Sequence, residues 1–510
     1  MAMSLNDICQ WIRAAAPGGR LVSDSRRVAR GDVFFAYPGD AADGRRFIEA
    51  AIAAGAAAVV YDDAGYGWND SVEVPHLGVT NLKKHAGPIA HGVLDKPDSA
   101  MFTVGVTGTN GKTSIAVWTA QALARLGESA AVIGTLGVGI VKGKGEPHFD
   151  ATGYTTPDAV LLAQLLSDLR AQETGALAIE VSSIGLVQER TAGMHFDVAI
   201  FTNLTRDHLD FHGTMENYEA AKVRLFEWEG LKTAVVNLDD PAGLRLVAHL
   251  RKNFAGLPVS GYTLKDDAEQ PAIDGVAMLR ASNMRSRHAG TEFNVDTPVG
   301  NVLVKTQLVG HFNVSNALAV LGALLAKGVA LKNAVEAIEG LVPAPGRMQQ
   351  IGGQDAPMVV IDYAHTPDAL EKTLEALRQV AQERSGELWC VFGCGGDRDP
   401  GKRPQMGAVA QAADHVLVTS DNPRSEEPAN IIAQIVAGMD QRSDNTSQAV
   451  EDRATAILLA VKNAGKQDVI LLAGKGHEPY QEIKGRKIPF SDADHASLAL
   501  TARLTMMRTH

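Results

Sequence analysis

The sequence predicts an α/β protein of three domains, two of them built on largely parallel sheets. Three observations carry this expectation. The chain has 510 residues, a length that suits roughly three units, each able to bury its own core. Short apolar runs alternate with helical stretches from residue 99 onwards, and the alternation restarts after Pro343-Ala344-Pro345-Gly346-Arg347. Between these two signals, Met101 to Leu126 reads as strand, glycine turn and helix in succession. The expected division is therefore a small N-terminal α/β domain (1–98), a central domain on a mostly parallel sheet (99–341) and a C-terminal α/β domain (342–510), with a hinge near Pro343–Arg347.

Bulk properties narrow the function classes. With 45% hydrophobic and 21% charged residues the composition is that of a globular protein. The longest apolar stretch, Ala50 to Tyr61, is too short to span a bilayer and is interrupted by Gly55. The start, MAMSLNDICQW, lacks the basic-then-apolar pattern of a signal peptide. Cysteines are few and odd in number (Cys9, Cys390, Cys394), which suits a reducing, cytoplasmic setting, and Cys390 and Cys394 lack zinc-site spacing. A net charge of −11 argues against nucleic acid as a partner, so an anionic ligand must be held by local Arg, Lys and backbone groups.

In residues 1–98, Val33–Ala36 and Ala57–Tyr61 read as strands, with an Ala-rich helix from Phe47 to Ala54 between them. Ahead of the first strand, Ser23-Asp24-Ser25-Arg26-Arg27 offers hydroxyls, a carboxylate and guanidinium groups. Such a set can hold a phosphorylated sugar or a nucleobase edge; composition alone fits a solvated loop equally well. Lys96-Pro97-Asp98-Ser99 reads as a linker.

In the central domain, Phe102 to Val106 is a short buried strand, and Ile115, Val117, Leu123 and Leu126 mark a helix that can stop at Gly127. The turn between them is Gly108-Thr109-Asn110-Gly111-Lys112-Thr113. A strand, a glycine turn carrying Lys-Thr and a helix together cradle nucleotide phosphates. Backbone N–H groups face the phosphates, Lys112 supplies charge, and the Thr113 hydroxyl reaches Mg²⁺. Val106 stands where the general motif has its first glycine, and Gly108 supplies one two residues later. The reading is a P-loop ATPase domain; the bland alternative is an ordinary turn with Lys112 in solvent.

Further along, Leu177 to Val181 is a buried strand containing Glu180, costly in an apolar run unless paired. Val198–Phe201 leads into Thr202–Asp210, so Glu180 and His208 both lie where parallel strands exit, in reach of a metal there. Asn217 to Trp228 reads as a helix carrying Lys222, which on local pattern alone is a surface lysine. Residues 256–309 suggest antiparallel strands. Gly310–Ala317 opens a helix, with Asn313 a candidate N-cap.

Beyond the hinge, Met358–Ile361, Leu388–Phe392, Val416–Thr419 and Val469–Leu472 predict a second open parallel sheet, Rossmann-like in character. Asp362 ends the first strand, and Thr366 with Pro367 forms an N-cap and first helical residue. The loops 393–398, 421–428 and 474–478 each follow a strand's carboxyl end, which favours a shared site over unrelated turns.

These motifs together resemble the Mur ligases, the ATP-dependent amide-forming enzymes of peptidoglycan precursor synthesis. The resemblance rests on GTNGKT (108–113), EVSS (180–183), DHLDFHGT (207–214), YEAAKVRLF (218–226), GHFNVSN (310–316), GRMQ (346–349) and DYAHTPDAL (362–370). GTNGKT alone also fits folylpolyglutamate synthetases. DNPRSEEP (421–428) with GKGHE (474–478) resembles the branch that adds meso-2,6-diaminopimelate as the third stem-peptide residue, rather than lysine.

The resemblance implies ATP and Mg²⁺ as cofactors and UDP-MurNAc-L-Ala-D-Glu as the acyl substrate, in a monomer. It implies a catalytic set of Lys112, Glu180, His208 and Lys222. Of these, Glu180, His208 and Lys222 share the metal with Thr113, Lys222 as a CO₂-derived carbamate. Gly108–Thr113, Ser114, Asn313, Arg347 and Asp362 fall at nucleotide positions; Ser114 replaces a threonine common there and keeps the hydroxyl. Ser23, Ser25, Asp40, Ala41 and Ala42 match uridine-side positions. Thr155, Thr156, Ser182, Gln188 and Arg190 surround the muramoyl dipeptide. Arg398, Asp421, Asn422, Pro423, Arg424, Gly474 and Glu478 match diaminopimelate contacts. A binding protein of the same fold without chemistry is the rival from another class, and the intact Lys112, Glu180, His208, Lys222 and Asp362 argue against it.

Overall fold

The computed structural model describes residues 3–39, 42–144, 148–287, 290–440 and 446–508. Asp40 and Ala41 lie outside these, so the uridine-side segment is described only at Ala42. Among the described residues the chain forms three main sheets and one short hairpin. The first sheet is parallel and runs Leu21–Val22, Val33–Ala36, Ala58–Tyr61, His76–Gly78. Its two middle strands are apolar throughout because both faces are covered: Leu5–Ala15 and Leu82–Val93 pack on one, Ile48–Ala53 on the other. Val160 and Ala163 of the helix Ala159–Ala171 complete the first of these cores, which ties the N-terminal unit to the central one.

The central sheet has eleven strands among the described residues. Seven neighbouring strands, Ala130–Gly134, Ala176–Glu180, Phe102–Thr107, Val198–Phe201, Thr233–Asn237, Val259–Thr263 and Val276–Arg287, run parallel. Phe102–Thr107 lies between Ala176–Glu180 and Val198–Phe201, so the chain crosses to both sides of it and opens a crevice at its carboxyl end. Antiparallel strands extend both edges. The antiparallel expectation for 256–309 is correct only for the pairings of Gly290–Thr297 with Val276–Arg287 on one side and Gly300–Thr306 on the other. Val259–Thr263 follows a crossover helix, Pro241–Asn253, and pairs in parallel on both sides. Loop 264–275 then carries the chain back before the next strand, fastened by Arg280 Nη2 donating to the Gln270 carbonyl (2.8 Å).

The helix Lys112–Arg125 is buried around its whole circumference because it lies between this sheet and the helices His311–Ala326 and Leu331–Glu339. Its Trp118 Nε1 donates to the Val342 carbonyl (2.9 Å), and Val342 N donates to Gln121 Oε1 (3.2 Å). The start of the predicted hinge is thus fastened to the phosphate-loop helix. Truncating so fully buried a tryptophan typically costs about 3–5 kcal/mol. The predicted linker is fastened too: Asp98 is buried and accepts from His195 N (2.8 Å), with His195 Nδ1 3.0 Å away.

The third sheet runs in the order Gln349–Gly352, Met358–Asp362, Val469–Ala473, Leu388–Phe392, His415–Val418, Thr446–Ala449, parallel except for the first strand. Thr366 caps the helix Pro367–Glu383 by accepting from Ala369 N (3.3 Å), and Pro367 occupies its first turn. The hairpin Tyr480–Ile483/Arg486–Pro489 stands beside this sheet.

Candidate active site

The carboxyl ends of the central and C-terminal sheets face one another across a cavity of about 750 Å³. The glycine turn forms one wall. Gly108 has φ +149°, and a Cβ there would run into the Thr202 hydroxyl, so only glycine fits. Thr202 Oγ1 donates to the Asn110 carbonyl (2.6 Å), Asn110 N donates to Asn203 Oδ1 (2.8 Å), and Thr205 N donates to Thr109 Oγ1 (3.0 Å). The loop's shape is therefore set by the next strand's exit, 202–205, as much as by its own glycines.

Two ammonium groups converge on this turn. Lys112 Nζ donates to the carbonyls of Gly108 (3.0 Å) and Thr109 (2.8 Å), and Lys222 Nζ donates to Gly108 O (2.7 Å). Lys222 is only 1% exposed and its ammonium lies 4.3 Å from the Tyr218 ring centre, so it is not a surface lysine. Burial, then the neighbouring Lys112, pulls its pKa well below the ordinary lysine value; burial lowers Lys112 as well. The helix holding it, Met215–Val223, is shorter than the sequence suggests. Leu225 N and Phe226 N bond the carbonyls of Lys222 (3.2 Å) and Val223 (2.8 Å) in tight turns that swing Leu225 and Phe226 into the core.

Glu180 is equally buried and fully engaged. Oε1 accepts from Thr113 Oγ1 (2.9 Å) and Thr135 N (2.9 Å), and Oε2 from Thr135 Oγ1 (3.2 Å). Gly134 makes room for it, since a Cβ there would strike the carboxylate. Arg347 reaches over from beyond the hinge: Nη2 donates to Thr113 Oγ1 (3.1 Å), with the guanidinium 4.4 Å from the Tyr363 ring centre. His208 sits half-exposed at φ +53°, its pKa pulled down by burial and then by the two lysines, with Asp207 opposing. Asn313 is not an N-cap, because Gly310 takes that place; its Nδ2 donates to the Val309 carbonyl (2.8 Å) inside the first turn. Asp362 accepts from Met348 N (2.9 Å) and Ala364 N (2.8 Å), and burial raises its pKa.

A second group lies on the C-terminal rim. Asn422 Nδ2 donates to Glu478 Oε2 (2.8 Å), and Lys475 Nζ stands 3.1 Å from that oxygen and 3.5 Å from Asp421 Oδ1. Arg424, at φ +52°, donates from Nη1 to the Gly396 carbonyl (2.8 Å) and stands 3.3 Å from Glu482 through Nε. Its main chain bonds the hairpin on both sides, through Arg424 N to Glu482 O (2.9 Å) and Lys484 N to Arg424 O (2.7 Å). Arg398 donates to the neighbouring Asp397 carbonyl (3.2 Å), Pro423 backs onto Gly396, and Gly474 (φ +106°) abuts Asp421.

Domain descriptions of known families match along the chain: "Mur ligase family, catalytic domain" at 20–90, "Mur ligase middle domain" at 106–324 and "Mur ligase, glutamate ligase domain" at 346–476. The UDP-N-acetylmuramoyl-L-alanyl-D-glutamate–2,6-diaminopimelate ligase of Janthinobacterium sp. (strain Marseille) is 61% identical over 501 residues, 98% of each chain. The chain belongs to the Mur ligase family. A protein of the same name from Ralstonia nicotianae is 51% identical to this Mur ligase over 99% of its length and 97% of the relative's. A solved structure of a ligase with that name is 36% identical, with a TM-score of 0.65 over 95% of each chain.

In this Mur ligase the cavity gathers Gly108–Ser114, Thr155, Glu180, Ser182, His208, Lys222, Asn313, Arg347 and Asp362. It also takes in Thr135, Asn203, Asp207, Tyr218, Asn316 and Asp368, which the sequence did not single out. Asn110 Nδ2 donating to Asp368 Oδ2 (3.0 Å) joins the glycine turn to the first turn of the helix Pro367–Glu383. Ser23, Ser25, Ala42, Thr156, Gln188 and Arg190 lie outside that cavity. Arg190 donates to the Thr156 carbonyl (2.8 Å) and Thr156 Oγ1 to the Glu180 carbonyl (2.9 Å), which ties these two to the cavity's Glu180, while Ser23 Oγ donates to Asp158 (2.8 Å). Among the described residues no three His, Cys, Asp or Glu side chains cluster at metal-binding spacing. Thr113 of the glycine turn and Glu180 at the end of the strand Ala176–Glu180 are hydrogen-bonded neighbours, a hard-oxygen pair that fits Mg²⁺ when phosphate oxygens complete the shell.

Proposed function

We propose that this Mur ligase joins meso-2,6-diaminopimelate to the D-Glu γ-carboxylate of UDP-MurNAc-L-Ala-D-Glu, with ATP converted to ADP and phosphate. The observation that carries the amino-acid assignment is Arg424, its guanidinium held at the rim by Gly396 and Glu482. Diaminopimelate differs from lysine by a carboxylate at its far end, and a guanidinium fork pairs with that group. Bound lysine would leave the guanidinium unpaired beside an ammonium. In this reading Arg398, Asp421, Asn422, Pro423, Gly474 and Glu478 complete the amino-acid site.

ATP lies against Gly108–Ser114, with Asn313, Arg347 and Asp362 on its other side. The D-Glu carboxylate attacks the γ-phosphorus, giving an acyl phosphate and ADP; the diaminopimelate amine then attacks the acyl carbon and phosphate leaves. Thr113 and Glu180 with His208 would hold Mg²⁺, which would supply positive charge for the approach of two anions. Lys112 and the loop N–H groups do the same from fixed positions, which requires Lys112 to leave the Gly108 and Thr109 carbonyls and turn toward phosphate. Lys222, buried and drawn toward its neutral amine, is suited to take up CO₂ as a carbamate; the resulting anion lies beside Lys112 and removes the conflict of two cations on one carbonyl. Arg347–Thr113 and Asn110–Asp368 hold the sheets together over the reacting groups, keeping water from the acyl phosphate.

The nucleotide-sugar substrate approaches from the side containing Ser23, Ser25, Ala42, Thr155, Thr156, Ser182, Gln188 and Arg190. The same reading divides the chain at 98/99 and 341/342, and it is supported by each main sheet drawing its strands from one of these ranges. A monomer working in the cytoplasm is part of this reading; no helix among the described residues is long and apolar enough to cross a membrane. Mass spectrometry of the product formed from ATP, UDP-MurNAc-L-Ala-D-Glu and equimolar diaminopimelate and lysine tests it. A diaminopimelate-containing tripeptide is expected; a lysine tripeptide as the main product overturns the assignment.

A further inference from the structure

We propose that Lys475 is a positioning residue for amino-acid selection, its buried ammonium fixing Asp421, Asn422 and Glu478 in the arrangement that receives the substrate. This rests on the amino-acid site proposed above and adds to it a residue that does not itself meet the ligand. Lys475 follows the strand Val469–Ala473 in a glycine-flanked turn and is 0% exposed. A lysine ammonium without water is tolerated only where acceptors surround it. Here Nζ stands 3.1 Å from Glu478 Oε2, 3.3 Å from Asn422 Oδ1 and 3.5 Å from Asp421 Oδ1. Three side chains from two loops therefore share one donor.

The consequence is directional. Asn422 Oδ1 accepts from both Lys475 Nζ and Glu482 N (2.9 Å), which turns the amide so that its Nδ2 donates to Glu478 Oε2. Glu478 Oε2 is thereby occupied twice, and Oε1 takes no hydrogen bond from the described residues, leaving it to an incoming ammonium. Behind the cluster, Arg453 and Asp492 form a buried pair (2.7 Å), and Arg453 Nη2 also donates to the Ala473 carbonyl (2.9 Å), fixing the strand end from which Lys475 departs. Counting Arg453, Lys475, Asp492, Asp421 and Glu478 as ionised leaves one negative charge in excess, which a substrate ammonium neutralises. Without Lys475 the carboxylates repel and Asn422 loses one of the two donors that set its orientation.

Two variants test this: Lys475→Met, of similar length with no donor, and Lys475→Gln, which keeps a neutral donor. KM for diaminopimelate, ATP and UDP-MurNAc-L-Ala-D-Glu is measured for each beside the wild type. The expected result is a rise of about tenfold or more in the diaminopimelate KM for Met, a smaller rise for Gln, and ATP and nucleotide-sugar KM values within about twofold of wild type. Wild-type diaminopimelate KM in both variants, equal rises for all three substrates, or loss of folded protein in both variants overturns the proposal. If the wild type itself makes no diaminopimelate-dependent product, it is the underlying reading that fails, and the two outcomes stay distinct.

Discussion

Arg424→Ala separates amino-acid choice from ATP use. The guanidinium is 22% exposed, donates to the Gly396 carbonyl and stands 3.3 Å from Glu482, outside the nucleotide cavity. A substrate carboxylate meeting it edge-on receives two charge-assisted hydrogen bonds of about 1.5–3 kcal/mol each. Partial access to water and the existing pairing with Glu482 set the expected total at the low end, about 3 kcal/mol, or roughly 150-fold in kcat/KM. Alanine also leaves Glu482 facing the incoming carboxylate, which adds to the loss. Arg424→Lys keeps a point charge without the fork and should lose about tenfold. The assay is phosphate release at varied diaminopimelate with saturating ATP and nucleotide sugar. A diaminopimelate kcat/KM within about threefold of wild type, or an equal rise in the ATP KM, refutes the argument.

Other consequences are equally concrete. Wild-type protein in ¹³C-bicarbonate should give a carbamate resonance that Lys222→Arg lacks, together with loss of ligase activity in the variant; the same spectrum for both proteins removes the carbamate from the account. Gly108→Ala should weaken ATP binding by about tenfold or more in a nucleotide titration, because a Cβ at φ +149° meets Thr202. The joint around Asp98 should make stability pH-dependent. Hydrogen bonds to Asp197 and then Asp98 raise His195 from 6.5 to about 9, so its contribution is complete below about pH 6.5 and is lost as pH rises through 9. Burial pushes Asp197 up, but bonds from His195 and Lys232 outweigh it and hold it near 2, so its contribution is present above about pH 4 and lost as pH falls through 2. The melting-temperature gap between wild type and His195→Asn should therefore narrow between pH 6 and pH 10, and a constant gap contradicts the assignment.

What could be read from the sequence was local in its physics. The strand, glycine turn and helix at 102–125 follow from period and turn chemistry, and the Thr366–Pro367 cap and the four C-terminal strands match to within a residue. What was hidden depends on residues far apart in the chain. Local pattern puts Lys222 on a helix surface; its burial comes from docking against Gly108, 114 residues earlier. Lys475 between two glycines looks like a solvated loop charge until Asp421 and Asn422 are brought over it. Asp98 in a Lys-Pro-Asp-Ser stretch reads as linker, yet His195 fastens it. The direction of Val259–Thr263 was missed because a strand's alternation carries no information on its partner's direction. Motif resemblance, not periodicity, is what singled out Lys222 in the sequence.

In the reaction proposed above, ATP cleavage by this chain is tied to the joining of diaminopimelate. Phosphate release is followed with the wild-type protein, Mg²⁺, ATP and UDP-MurNAc-L-Ala-D-Glu, with diaminopimelate, with lysine and with no amino acid. Sustained phosphate release is expected with diaminopimelate and little with lysine or with neither. Release that is the same in all three conditions, or that requires lysine, contradicts it.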